Sequence, residues 1–323
     1  MKISTNSLCV LGLLFVVACS GDPAADVSSA DTAQDNAAAS AAAVVVGDRS
    51  VGCEDDPACI NRLHPDIPMV ATADPGDRIV FHGRDAFDMT LDPNGPASAP
   101  AKPREGSGAV HALTGPVSIT GARAGDVIAV TIESLAPDSI GWTEASTFGF
   151  AGDQFGTENY FIIWRMDDDY ATSDALPGVR IPNASFPGVV TTLPDEALLA
   201  EVLAREAALL DAGGTVLPPD PDEASPAEVC GAGGAATAEC LRTIPPREHG
   251  GNMDIRYITT GTTVYLPCLV DGCGLAVGDF HYAQGDGEVA GTAIEMGGTM
   301  TVTTQIVADP PDLTHGPHYA GPT

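Results

Sequence analysis

Lysine is almost missing from this chain of 323 residues: Lys2 and Lys102 are the only ones, and 14 Lys plus Arg stand against 44 Asp plus Glu, a formal charge of -30. Such a field repels phosphate backbones, so nucleic-acid binding is excluded, and anionic polymers are disfavoured as substrates for the same reason. A small neutral or cationic substrate meets no such barrier. Aromatic residues are few, 5% of the total, but 44% apolar content is enough to bury a substantial core.

Residues 1–19 read as an export signal. Lys2 gives a short positive start, Leu8 to Val17 an apolar run too short for a permanent membrane helix, and Val16-Val17-Ala18-Cys19 has the form of a lipobox. Cleavage before Cys19 would leave a lipidated cysteine as the only membrane attachment. Ser20 in place of an aspartate points to the outer membrane, on its periplasmic side or at the cell surface. Residues 20–50 are expected to be a flexible tether, because from Ser20 to about Gly47 the chain is mostly Ala, Asp, Ser and Gly and cannot offset its ordering entropy by burial. The globular domain is then 51–323.

The remaining cysteines fall into three close pairs, Cys53 with Cys59, Cys230 with Cys240 and Cys268 with Cys273. An even set in an exported chain implies disulfides, and local pairing is the simplest connectivity. None has the C-x-x-C spacing of a zinc ribbon.

Short β-rich runs follow turn residues. Asp74-Pro75-Gly76-Asp77 precedes the strand-like Arg78 to His82, and Arg123-Ala124-Gly125-Asp126 precedes Val127 to Ile132, a weak repeat. Asp92 to Ser107 is expected to be a long surface loop. Trp142 and Trp164, with neighbouring Phe and Tyr, are expected in the core or a pocket wall, and Asp167-Asp168-Asp169 in a solvated turn, since an EF-hand glycine is missing. Pro194 to Leu210 is the clearest helix, with Leu198, Leu199, Val202, Leu203, Ala207 and Leu210 at helical spacing and a stop at Gly213-Gly214.

The densest chemistry lies between His249 and Glu295. Asn252 with Asp254, Asp279 with His281, and Asp286 with Glu288 are spaced i, i+2, which in extended chain puts both members of a pair on one face. Glycines precede or split each pair, as a crowded site requires. His111, at the entry to another strand, is either a packing residue or a ligand or acid/base that reaches this cluster. A structural calcium site, or carboxylates that cap turns, is the plainer alternative for the cluster.

Several ordered motifs resemble the acetamidase/formamidase family: His111-Ala112-Leu113-Thr114-Gly115-Pro116, Leu176-Pro177-Gly178-Val179-Arg180-Ile181-Pro182, Thr243 to Asp254, Leu266-Pro267, Gly278-Asp279-Phe280-His281 and Gln284 to Glu295. The likeness covers about Pro65 to Val307. It implies a mainly β architecture, a β-sandwich with a small additional α/β part, which here carries a helical insertion at 193–241 with no matched counterpart. It also implies hydrolysis of short linear amides to a carboxylate and ammonia, association with a metal, and a homodimer. Asn252, Asp254, Asp279 and His281 match the family's polar pocket motifs, with Glu288 beside them. Ala112 stands where the family often has proline, and Ala290 where it often has cysteine, so no thiol mechanism can be placed there.

The same chemistry follows from the residue types. Mixed carboxylate and imidazole donors suit a divalent metal, zinc first and calcium as the alternative given the hard oxygen ligands. Asn252, Asp254, Asp279 and His281 are the candidate ligands. A free carboxylate beside them can take a proton from water and return it to nitrogen, a role assigned to Glu288, with Asp286 as the runner-up. Nitrilase-like Glu-Lys-Cys and Ser-Ser-Lys sites both need an active-site lysine, whereas Lys102, the one lysine outside the signal, lies in a Pro-rich loop, and no G-x-S-x-G elbow is present. The expectation is a metal-dependent hydrolase of a small neutral amide. The alternative is a catalytically inactive envelope lipoprotein that holds a metal or small ligand on the same fold.

Overall fold

The two Gly-Asp turns fold alike and set the first strands. In each, the final aspartate accepts a hydrogen bond from the backbone of the residue three before it: Asp77 from Asp74, at 3.0 Å, and Asp126 from Arg123, at 2.8 Å. Gly76 and Gly125 supply the positive φ, 95° and 96°, that these turns need. Arg78–Gly83 and Val127–Ala145 follow as strands, and alternation sends Ile79, Phe81, Ile128, Val130 and Ile132 inward. These elements belong to a computed structural model that describes residues 43–92, 94–96, 102–103, 110–145, 152–154 and 160–322.

Strand Glu295–Ile306 organises the sheet. One edge pairs with Val127–Ala145 along its whole length. The other edge is shared: Gly298 to Thr303 pair with Arg78–Gly83, whereas Glu295 and Met296 pair with His281 and Phe280 at the end of strand Cys273–His281. The sheet therefore forks at His281 and Glu295. The second leaf continues from Cys273–His281 to Leu113–Ile119 on one side and to Phe186–Thr191, then Gly250–Asn252, on the other.

The two leaves pack face to face. Phe81, Val130, Met300 and Val302 from the first and Val117, Val190, Leu275 and Val277 from the second lie in one buried cluster, which makes the mainly β chain a sandwich. The outer face of the second leaf is covered as well. Val189 and Ala276 pack with Leu198, Leu199 and Val202 of helix Glu196–Asp211, whose first turn is capped by Asp195 accepting from the backbone of Leu198 at 2.8 Å. Every residue of Cys273–His281 is consequently buried, as expected for a strand covered on both faces.

All three local disulfides are present. Trp142 and Trp164 are buried, and Asp167 accepts the backbone N–H groups of Asp169 and Tyr170 in an exposed turn. Two boundaries differ from expectation. Val44–Val46 forms a parallel strand against Arg78–Gly83 and buries Val46, so the tether does not run to position 50; three consecutive β-branched residues favour the sheet edge over solvent. The Asp92 to Ser107 loop contains the short strand Lys102–Pro103, paired with Met89–Thr90. The export signal, with Cys9 and Cys19, lies outside the described residues. No described helix is long and apolar enough to cross a membrane.

Candidate active site

The fork in the sheet is also where the polar residues collect. His281 and Glu295 are direct cross-strand partners, which brings Nε2 of His281 to 3.3 Å from Oε1 of Glu295. The same nitrogen lies 3.2 Å from Oδ1 of Asp279 and 3.9 Å from Oε1 of Glu288, and Nδ1 lies 3.9 Å from Oδ1 of Asp254. Nε2 of His111 approaches Asp279 from the next strand at 3.7 Å, while its Nδ1 sits 3.1 Å from the Thr243 hydroxyl. Four carboxylates thus surround one imidazole, with a second at the side.

Three of the four carboxylates sit in unusual backbone. Asp254, Asp279 and Glu288 have φ of 47°, 55° and 43°, a left-handed region that side-chain-bearing residues rarely adopt and that concentrates at functional sites. Gly188, on the strand beside Asp279, leaves the space they occupy. A Cβ there would lie 2.5 Å from Oδ2 of Asp279 and 2.7 Å from Oδ1 of Asp254. The Gly188 carbonyl also accepts from the backbone of Met253 at 3.0 Å, which seats the Asp254 turn over the strand.

Like charges at such distances cannot all ionise. Burial, and then the Glu295 charge, pushes Glu288 up to about 9; burial, and then Asp279, pushes Asp254 up to about 7. Burial likewise raises Glu295 against the pull of His281. Burial works the same way on Asp279, but His111 and His281 outweigh it and hold that carboxyl below its ordinary value. His281, opposed by burial, is held well above the usual imidazole range by Glu295 and Asp279, whereas burial dominates at His111 and pushes it down.

Several buried polar atoms in this cluster have no hydrogen-bond partner: Oδ1 of Asn252, Oδ1 of Asp254, Nδ1 of His281 and Oε2 of Glu295. Each such atom costs about 1–3 kcal/mol if left so. Two overlapping donor sets, Asp254 with His281 and Glu288, and Asp279 with His281 and Glu295, have ligand atoms within 4.8 Å of one another. Oxygen and imidazole donors with unsatisfied lone pairs fit a divalent metal ion.

Of the residues singled out by sequence, Asn252, Asp254, Asp279, His281, Glu288 and His111 meet around one space. Asp286 does not. Its side chain is 73% exposed and its nearest charged partner is Arg256, at 3.9 Å, because Gly285 and Gly287 turn the chain here and the strand-like alternation expected of the pair does not apply. Glu295 and Gly188 are members that the spacing argument missed. The local sequence around Glu295, which opens the threonine-rich strand Glu295–Ile306, gives no signal of its role, and Gly188 shows only as a glycine between Phe186 and Val189 in a strand otherwise fit for burial.

Asn252, Asp254, Asp279, Glu288, Glu295 and His111 line a cavity of about 990 Å³. Its other walls include Phe87, Val110, Ile244, Met253 and Ala290, with Thr215 contributed by the insertion.

The sequence and the architecture match a known class of protein. A model of the acetamidase/formamidase family matches residues 46–315. A formamidase from Methylophilus methylotrophus is 35% identical over 278 residues, 79% of this chain and 66% of that protein, and an acetamidase from Mycolicibacterium smegmatis is 35% identical over 76% and 65%. The chain therefore spans slightly less than two thirds of the length of these curated relatives. Among solved structures, a gamma lactamase from Delftia acidovorans is 31% identical with a TM-score of 0.75, covering 86% of this chain and 72% of that one, and an acetamidase from Bacillus halodurans is 25% identical with a TM-score of 0.57, covering 78% and 69%. The protein belongs to the acetamidase/formamidase family.

Proposed function

We propose that the protein hydrolyses a linear amide to a carboxylate and ammonia at the His281 cluster, with a divalent metal held by Asp254, Asp279 and His281 and with Asn252 beside them. The observation that carries this reading is the convergence of four carboxylates and two imidazoles, several of their atoms unpartnered, on one cavity. The curated relatives' names, formamidase and acetamidase, support the reaction class.

When bound, the cation supplies Lewis acidity toward the amide carbonyl and toward water, and favours ionised carboxylates around it. Zinc suits the imidazole-containing set, and calcium is the alternative. Glu288 takes a proton from the attacking water and returns it to the amide nitrogen; a C–O bond forms, the C–N bond breaks, and ammonia leaves. Burial and carboxylate neighbours raise Glu288, so it would hold a proton without a cation and would serve as the base only where a bound cation had displaced that proton. His111, kept neutral by burial and fixed against Thr243, is a hydrogen-bond donor at the cavity wall, and Glu295 holds His281 across the strand pair.

Ammonia release from formamide and acetamide, by protein loaded in turn with zinc and calcium, tests the reaction. No release with either ion, together with no difference between wild type and Glu288→Gln, would refute it. An anomalous-scattering map tests the metal, which should lie among Asp254, Asp279 and His281. The lipobox at Cys19 and three disulfides support an envelope location with a lipid anchor. Loss of palmitate labelling in Cys19→Ala would be the expected sign of that anchor; labelling that persists argues against it.

A further inference from the structure

Formamide and acetamide are small beside the cavity. A water molecule occupies about 30 Å³ in the liquid, so either amide would leave most of the 990 Å³ as solvent. Pockets of ~300–1,000 Å³ are those that enclose ligands of many more atoms. The chemistry of the walls is also uneven. The carboxylates of the cluster and the His111 imidazole share the walls with Phe87, Val110, Ile244 and Met253, each of these four partly accessible.

Of these apolar residues, Phe87 stands on an anchored segment. Asp85, buried beneath it, accepts the backbone N–H of Phe87 at 2.9 Å and of Met89 at 3.1 Å. Next to it, Arg84 is buried between Asp56 at 2.9 Å and Asp88 at 2.8 Å. The Phe87 ring meets Trp142 edge-on with centroids 5.7 Å apart. A surface fixed this way binds without an ordering cost. Among the described residues no lysine or arginine lines the cavity, and Glu144 adds a further acid to its wall.

We infer that the cavity is built for an amide whose acyl chain is apolar and several carbons longer than acetyl, uncharged or cationic at its far end, with Phe87, Ile244 and Met253 holding the chain. The inference rests on the hydrolase reading and narrows its substrate. Ammonia release from acetamide, butyramide and hexanamide tests it, alongside the hexanamide analogues that end in a carboxylate or an amine. Each buried methylene should raise kcat/KM about fourfold. The analogue ending in an amine should be cleaved and the one ending in a carboxylate strongly disfavoured. In Phe87→Ala and Met253→Ala the ratio of hexanamide to acetamide kcat/KM should fall on the order of tenfold, a ratio that partial misfolding cannot move.

Falling rates from acetamide to hexanamide, or unchanged ratios in both variants, would overturn the inference and leave the hydrolase reading standing. No ammonia from any amide would overturn the hydrolase reading. In that case the thermal shift with acetamide and hexanamide decides the cavity separately: a larger shift with hexanamide supports the apolar subsite, and equal shifts reject it.

Discussion

Replacing Gly188 with alanine is a one-methyl test of the site. In a strand with ordinary φ, Gly→Ala normally stabilises by about 0.4–1 kcal/mol through the unfolded chain. Here the added Cβ would sit 2.5 Å from Oδ2 of Asp279, 2.7 Å from Oδ1 of Asp254 and 2.9 Å from the Asp279 carbonyl, all closer than van der Waals contact. Neither carboxylate can swing freely, since Asp279 is buried against His281 and Asp254 is tied to the Gly188 carbonyl through its own backbone at 3.3 Å. Overpacking of this kind costs about 1–3 kcal/mol, so the net effect is a loss of about 1–2 kcal/mol and a fall in Tm of a few degrees. The effect on function should be larger, because displacing catalytic groups by about 1 Å costs on the order of 100-fold. The assay is kcat/KM for ammonia release, with zinc affinity by calorimetry and Tm by circular dichroism. Wild-type values for all three would mean that Asp254 and Asp279 are not packed against Gly188 as described, and the account of the site would fail.

Glu288→Gln should keep the fold and lower amide hydrolysis by about 100- to 10,000-fold if Glu288 is the proton carrier; a rate within a few fold of wild type removes it from that role. His281→Ala should abolish the rise in Tm that added zinc produces in the wild type, as read by calorimetric scans with and without a chelator; a rise that survives places the metal elsewhere. Arg84→Ala leaves Asp56 and Asp88 buried without their partner and should cost about 3–5 kcal/mol in urea unfolding, whereas a loss below about 1 kcal/mol would show the pair to be unimportant. His249 bears on pH. Burial pushes its pKa down to about 4, and its Nδ1 faces the Thr192 carbonyl at 2.7 Å. The unfolded chain takes up a proton near pH 6.5 that the folded chain refuses until about 4, so this group's contribution is complete above 6.5 and lost as pH falls toward 4. Asp85, raised to about 7 by burial, works in the opposite sense over much of that window, so His249→Gln must be compared with wild type at pH 7 and 4.5, where it should flatten the decline. An unchanged slope would contradict the assignment.

Local signals carried far in this sequence. The Gly-Asp turns, the capped helix and the three disulfides depend on residues close together in the chain, and so they are visible without the fold. Asp279 and His281 were legible as close neighbours on one strand, although the left-handed φ of 55° at Asp279 means that regular alternation is not what brings them together. Asp286 and Glu288 looked equivalent, but the turn at Gly285 to Gly287 sends only Glu288 inward. Glu295 was illegible because its role comes from a cross-strand pairing with His281, and Gly188 because its role is the space it leaves for groups 66 and 91 residues further on, at Asp254 and Asp279. The sandwich itself was read from family likeness. No periodicity in the sequence says that one strand's edge is divided between two leaves.

That divided edge governs the order in which the His281 cluster can assemble. Glu295–Ile306 follows in sequence every strand it pairs with, yet it takes the middle of the first leaf and places Glu295 beside His281. Earlier strands must wait for it, and the cluster around His281 is complete only once Glu295 and the strand that follows it have been made. A product that stops short of Glu295 would lack both the strand that joins the leaves and one carboxylate of the cluster around His281.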